Sequence, residues 1–555
     1  MFPVNANTLG RRRLALVAAA TSVMLVATAA VGAGDLPGLL NRSHSAPAAG
    51  SPSTVDWASW MKDLAGSRHN GAETAITPAT VGRLKLKWAY SYPAIPNARE
   101  GSQPAVVGGM LYVGAPDGKF LALDARTSKT AWTFDTVPTA GPSTGDNPNL
   151  IRDGAAVVGD SVYFGDSRGF VYSVDRRDGK LLWATKMDTH PATWMTGSPL
   201  VYEGKVYIGV SSDEAGSAND PTYACCSFSG HVDALDAATG KVLWKHLLMP
   251  PATRIGTWPT GAAKYGPAGA AVWASPVIDP TTRTLYIGTG NAHIGGGGDI
   301  DSVLALNIDD GSTRWKRQMI AVDDHDQACT WPDPQVYCPS KYDGTAKNFD
   351  FGATANLFTV NGRELVGIAQ KAGLYYAFDA RTGQTVWQTR LATPDLSYQD
   401  PGSYGTPWGS SYDGHQIYVA TWRGHPATIY ALDPADGHVN WKAIHPADGC
   451  STGGAAMSPQ LCERAFPPAV TTTDGLLYEG SSDGKIRIYS TKDGSLLWTY
   501  DAVRAYQGVN GVAGYGKAIS GNGGAVVVDG MLYVQAGYYP FYPSDKGTVL
   551  LAFGL

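Results

Sequence analysis

The stretch Leu477–Trp498, LYEGSSDGKIRIYSTKDGSLLW, shows the hydrophobic pattern that the rest of the chain repeats. Two short runs alternate apolar and polar positions, and a third closes on Trp. Period-two alternation predicts strands with one face turned to a core. Asp483-Gly484 and Asp493-Gly494 separate the runs, and Gly there permits the positive φ of a tight hairpin turn. The same pattern returns at Leu111–Trp132, Val162–Trp183, Val206–Trp244, Leu285–Trp315, Leu365–Trp387 and Ile417–Trp441, so that seven copies end in Trp. Insertions fall mostly between the first two strands of a copy.

An eighth copy is divided between the two ends of the chain. MLYVQAGYYPFYPSDKGTVLLAFGL supplies early strands without a closing Trp, and LKLKWAYSY, around Trp88, supplies a Trp strand without early ones. Periods of roughly 40 to 70 residues, each with four short strands, predict a propeller. The fold class expected is therefore all-β, an eight-bladed β-propeller over residues 56–555 whose last blade is shared by both termini. Such sharing closes the ring and covers sheet edges that would otherwise stay open. A Trp on each outer strand can pack against the neighbouring blade, at roughly 4–6 kcal/mol of gross burial each.

The pattern fails at the N-terminus. Arg11, Arg12 and Arg13 precede an apolar run from Leu14 to Ala33 that ends in small residues, the order of a secretory leader. The run is about 20 residues long, which also suits an uncleaved membrane anchor. Residues 1–33 are read as signal peptide or anchor, and residues 34–55, rich in Pro, Ser, Gly and Ala, as a flexible linker. The propeller is accordingly expected to be exported: secreted, periplasmic or at the cell surface.

Six cysteines suit that compartment and fall into three local pairs read as disulfides: Cys225-Cys226, Cys329-Cys338 and Cys450-Cys462. The last two would staple long insertions. The adjacent pair also fits two free thiols or a soft-metal site. A net charge of −5 with 16% charged residues offers no basic surface for nucleic acid. No CxxCH haem attachment, P-loop or dinucleotide fingerprint is present. A redox enzyme of this sequence would bind its cofactor in the propeller and pass electrons to another protein.

Four stretches interrupt the repeat and carry the candidate chemistry. GVSSDEAGSANDPTYACCSFSG holds Asp213, Glu214 and the Cys pair; GAAVWASPVIDPTTRTLYIGTGN holds Trp273 and Asn291; AVDDHDQACTWPDPQVYC holds Asp323, Asp324 and Asp326; IAQKAGLYYAFD holds Lys371. Oxygen ligands from Glu, Asn and Asp on successive blades suit a hard cation such as Ca²⁺. Solvated acidic loops, a core Trp and a surface-turn Lys explain the same residues equally simply.

Taken together, these motifs resemble the pyrroloquinoline quinone (PQQ)-dependent alcohol dehydrogenases, most closely the polyvinyl alcohol dehydrogenase branch. The resemblance runs from Trp57 to Leu555 and includes DLAGSRHN, TPATVGRLKLKW, CCSFSG, VDALDAATGKVLWK, GTGN and QKAG. It implies PQQ and Ca²⁺ as cofactors, an alcohol as substrate and an external electron acceptor such as cytochrome c. Glu214 and Asn291 match metal ligands, and Asp324 matches both a ligand and the catalytic base. Trp273 matches the indole that stacks on the quinone. Arg152, Thr196, Lys371 and Trp408 match cofactor-binding positions, and Cys225-Cys226 would cover the quinone's other face. The loop reads DDHDQ without the family's Trp, which leaves Asp323 and Asp326 as alternatives for the base. Ser229-Gly230 replaces an Arg-Gly pair, and Pro407 stands where relatives often carry Asn. A propeller of this type without catalysis, acting as an envelope binding or scaffolding module, is the alternative reading.

Overall fold

The computed structural model describes residues 55–95, 102–142, 149–330, 338, 347–394, 405–422, 426–448, 464–519, 523–537 and 548–555. The expected leader, nearly all of the linker, and the Cys450-Cys462 pair lie outside them. Each repeat forms a four-stranded antiparallel sheet. Blade 1 is Ala105–Val107, Met110–Gly114, Lys119–Asp124 and Thr130–Asp135, paired in that order. Blades 2 to 7 begin with Ala156–Val158, Leu200–Tyr202, Val277–Asp279, Asn356–Val360, Ser411–Tyr412 and Thr471–Thr473. In blade 8, Val526–Val528, Met531–Ala536 and Val549–Gly554 come from the C-terminus and Lys85–Ser91 is the outer strand. Trp88 pairs with Ala552. The eight-bladed propeller with a divided last blade is thus the observed fold. Among the described residues, no helix is long and apolar enough to cross a membrane.

The recurring Trp and the recurring Gly of the last turn belong to one contact. Trp132 Nε1 donates to Arg176 O of the next blade at 2.9 Å, Trp183 to Ala237 O at 2.9 Å, and Trp315 to Ala380 O at 2.7 Å. A Cβ at Gly179 would stand 2.6 Å from the Trp132 ring, and one at Gly240 2.5 Å from the Trp183 ring. Glycine is needed there because the indole lies on the backbone of the following turn. A Tyr two strands inward rests against the indole in most blades, as Tyr163 does on Trp183 with ring centroids 6.0 Å apart. The ring closes in the same manner, since Tyr533 of blade 8 donates to Ala125 O of blade 1 at 2.9 Å.

The segment Trp57–Asn70 was not legible as structure, and it holds the blades together from inside. Trp57 exchanges both main-chain hydrogen bonds with Val106 of blade 1, each 2.8 Å. Ala58 O then accepts from Val157 N, Leu64 O from Ile278 N, Ala65 O from Leu357 N, Ser67 O from Tyr412 N and Arg68 O from Thr472 N. Asn70 Nδ2 completes the circuit on Val527 O at 2.7 Å, and Leu64 packs in the cluster that includes Leu200 of blade 3. So short a segment reaches seven of the eight first strands only because those strands surround it. Their inward edges would otherwise present unpaired amides and carbonyls to the axis.

Arg68 fixes this plug. Its fully buried guanidinium donates to Trp60 O and Val470 O at 2.8 Å, to Gln103 Oε1 at 2.9 Å and to Thr471 Oγ1 at 2.8 Å.

Candidate active site

The candidate residues converge at the end of the channel where first strands begin and second strands finish. Arg152, Thr196, Trp273 and Trp408 precede the first strands of blades 2, 3, 4 and 6, while Glu214, Asn291 and Lys371 follow the second strands of blades 3, 4 and 5.

In blade 3 the strand Lys205–Ser212 delivers Glu214 at the start of a helical turn. Its buried carboxylate accepts from Ser227 N at 2.7 Å, Phe228 N at 2.8 Å and Tyr223 Oη at 3.1 Å, with His190 Nε2 at 3.4 Å. Burial alone would raise its pKa, but the His190 contact, the charge of His293 and the two amides hold it below the usual glutamate value.

The same loop carries Cys225 and Cys226, which the structure joins in a disulfide, as it joins Cys329 to Cys338. A hairpin, Thr253–Thr257 with Ala263–Gly266, straps the adjacent pair. Cys225 O accepts from Tyr265 N at 2.9 Å and from Trp258 Nε1 at 3.1 Å.

Asn291 donates its side-chain amide to Ala292 O at 2.6 Å and His325 O at 2.8 Å, which turns Oδ1 the other way. Its main-chain N–H donates to Asp350 Oδ1 at 2.8 Å, and Lys371 Nζ donates to Asp350 Oδ2 at 2.8 Å. Asp350 is therefore the carboxylate that joins the expected residues Asn291 and Lys371, although sequence reasoning did not single it out. Burial pushes its pKa up, but the Lys371 charge and hydrogen bond, with the Asn291 amide, hold it below the usual carboxylate range.

The three acidic-loop residues do different work. Asp323 accepts from the amides of Lys347, Asn348 and Phe349 at 2.8, 2.8 and 2.7 Å, tying down the turn that carries Asp350. Asp324 accepts from Gly295 N at 3.0 Å and Gly296 N at 3.1 Å. Asp326 is buried beside the two cysteine sulfurs, and burial pushes its carboxyl up to about 8, with the Ala328 and Cys329 amides opposing.

Trp273 lies beside this cluster. Lys371 Nζ is 5.6 Å from its ring centroid, and Trp408 meets it edge-on with centroids 4.9 Å apart at 79°. Gly352 leaves it room, since a Cβ there would sit 1.7 Å from the indole. Thr196, Ser275 and Thr354 line a narrow cavity with Trp60, Trp273 and Trp408. Arg152 is buried one blade away, its guanidinium 5.1 Å from the Trp194 ring centroid. His293, also missed in the sequence, is buried within electrostatic reach of Glu214 and Asp350, and burial lowers its pKa.

The site thus presents oxygen donors, two buried cations and an aromatic plane, an arrangement able to hold a flat, anionic ligand next to a cation.

A family model described as the glucose/ethanol/alcohol dehydrogenase β-propeller domain matches residues 57–330, and one described as outer membrane protein assembly factor BamB matches residues 371–540. A polyvinylalcohol dehydrogenase from Pseudomonas sp. is 32% identical over 530 residues, covering 91% of this chain and 78% of the relative. A second, from Sphingopyxis sp. (strain 113P3), is 31% identical over 500 residues, covering 87% and 72%. Among solved structures, the quinohemoprotein alcohol dehydrogenase ADHIIG from Pseudomonas putida HK5 superposes with a TM-score of 0.67 at 20% identity, covering 91% of this chain and 80% of that one, a likeness of fold.

Proposed function

Because this chain belongs to the family of PQQ-dependent alcohol dehydrogenases, oxidoreductases acting on alcohols, we propose that it oxidises secondary or polymeric alcohols, with PQQ and Ca²⁺ at the channel mouth and Asp350 as general base. One observation carries this reading: a single buried carboxylate touches both Asn291 and Lys371 beside the Trp273 indole.

The residues present suit both groups. Glu214 and Asp350 offer carboxylate oxygens and Asn291 offers Oδ1, the hard donor set that Ca²⁺ takes. Lys371 and Arg152 suit the carboxylates and carbonyl oxygens of the quinone, and Thr196 offers a hydroxyl. The Trp273 face and the Cys225-Cys226 pair offer apolar surfaces for its ring. When bound, PQQ supplies a two-electron acceptor and Ca²⁺ a Lewis acid.

The chain's own residues then position and deprotonate the alcohol. Asp350, kept ionised by Lys371, accepts the hydroxyl proton. Lys371 and the Asn291 amide fix its two oxygens, so the carboxylate needs no reorientation before it acts. Asp323 holds the Asp350 turn, and Asp324 holds the Gly295-Gly296 turn beside it.

The names of the two polyvinylalcohol dehydrogenases support a polymeric alcohol as substrate. The electrons then pass to an external acceptor such as a cytochrome. An exported location accords with the leader-like residues 1–33.

Purified apoprotein supplied with PQQ and Ca²⁺ should reduce an artificial dye with secondary alcohols and polyvinyl alcohol, and faster than with short primary alcohols. Failure with every alcohol, despite bound PQQ, overturns the reading. A preference for short primary alcohols overturns the substrate class alone.

A further inference from the structure

We propose that Trp60, on the N-terminal plug, is a positioning residue for the cofactor, forming with Trp408 the floor on which the Trp273 indole rests. This rests on the reading that Trp273 carries the quinone.

Trp60 is 4% exposed and lines the same narrow cavity as Trp273, Trp408 and Thr196. It packs in one apolar cluster with Met61, Ala469 and Trp408. Its carbonyl is held twice, by Arg68 Nη1 and by Gln103 Nε2, both at 2.8 Å. The Arg68 guanidinium also lies 5.4 Å from the Trp60 ring centroid. Trp273, in turn, is confined by Gly352 on one side and by the edge-on Trp408 on another. An aromatic platform selects a planar ligand only when its own position is fixed from behind. The plug supplies that fixation, since Trp60 is its side chain in the Trp273–Trp408 cavity. Removing the Trp60 ring opens a void into which Trp408 and Trp273 relax. The segment that ties the blades together therefore also sets the height of the cofactor platform.

The test is titration of apoprotein with PQQ in the presence of Ca²⁺, read by quenching of tryptophan fluorescence, together with thermal melting. Trp60→Ala should weaken PQQ binding about tenfold, the upper range for one aromatic contact. Trp60→Phe, which keeps a ring, should restore binding to within about twofold of the original protein. Leu64→Ala alters the same segment away from the cavity and should lower the melting temperature without changing PQQ affinity. Should Trp60→Ala fail to fold, Trp60→Leu gives the same comparison, because it fills volume without a ring. Unchanged affinity in Trp60→Ala or Trp60→Leu overturns the inference. So does an equal loss in Leu64→Ala, which makes the effect one of plug stability. Absence of PQQ binding by the original protein refutes the functional reading itself.

Discussion

At the plugged end of the channel, Trp57–Asn70 meets seven of the eight first strands through hydrogen bonds to main-chain atoms. At the mouth, Glu214, Asn291, Asp350, Lys371 and Trp273 meet through side chains carried on loops of unequal length. Both ends bury charge, and they treat it differently. Arg68 spends its guanidinium on carbonyls, an amide oxygen and a hydroxyl, while Glu479, also buried, has no recorded hydrogen-bond partner for its carboxyl among the described residues. At the mouth, Lys371 and Asp350 are paired directly at 2.8 Å. The plug is arranged for satisfied backbone, whereas the mouth pairs opposite charges directly.

The contrast breaks most sharply at Asp350. Replacing it with Asn should lower turnover by roughly 10²–10⁴, the usual worth of a positioned base, with the melting temperature little changed. Asp324→Asn should cost far less, because that carboxylate caps glycine amides. If Asp324→Asn abolishes turnover while Asp350→Asn leaves it near normal, the base is Asp324.

Arg68→Met should do the reverse. It removes the side-chain donor from the Val470 carbonyl and the buried Thr471 hydroxyl and should destabilise the fold by about 3–5 kcal/mol, measured by denaturant unfolding, while the protein that remains folded keeps its KM for alcohol. A loss below about 1 kcal/mol would show that the plug does not depend on this residue.

The smallest effect is pH-dependent. Burial pushes the Glu479 carboxyl well above its ordinary value of 4.5, with the charge of Arg68 opposing. The folded chain keeps that proton while the unfolded chain releases it above about pH 4.5. Stability should therefore fall as pH rises from there toward the folded pKa, by up to about 1.4 kcal/mol per pH unit. Glu479→Gln removes this loss, so its advantage over the original protein should grow with pH. An advantage that stays flat between about pH 4 and pH 9 would mean Glu479 is ionised in the fold.

How legible each end was in the sequence follows from the same difference. Trp132, Gly179 and their counterparts repeat because side chain and turn must fit together at every blade junction, and a repeated constraint leaves a repeated phrase. Trp88, without strands before it, revealed the divided blade for that reason. The plug left no phrase. Ala58, Leu64, Ala65 and Ser67 act through carbonyl oxygens, which nearly any residue provides, so DLAGSRHN could be matched to a family but not to a role. Asp350 escaped for another reason. Asp350 lies beyond the insertion holding Cys329 and Cys338, whereas the three candidate aspartates stand ahead of it, close to the end of the Trp315 strand. Gly352, two residues on, was the available signal, because a glycine there frees space for Trp273.

The plug also dictates when the molecule can finish folding. Trp57 to Asn70 are synthesised first among the described residues, yet Asn70 finds its acceptor on Val527, 457 positions later in the chain. Contacts so distant in sequence form late, after the slow closure of the whole ring. A partly made chain can build single blades from local hairpins, but it has no completed circle of strands for the segment to thread. The early segment can complete its contacts only once the last blade exists, when its hydrogen bonds tie seven of the eight first strands together.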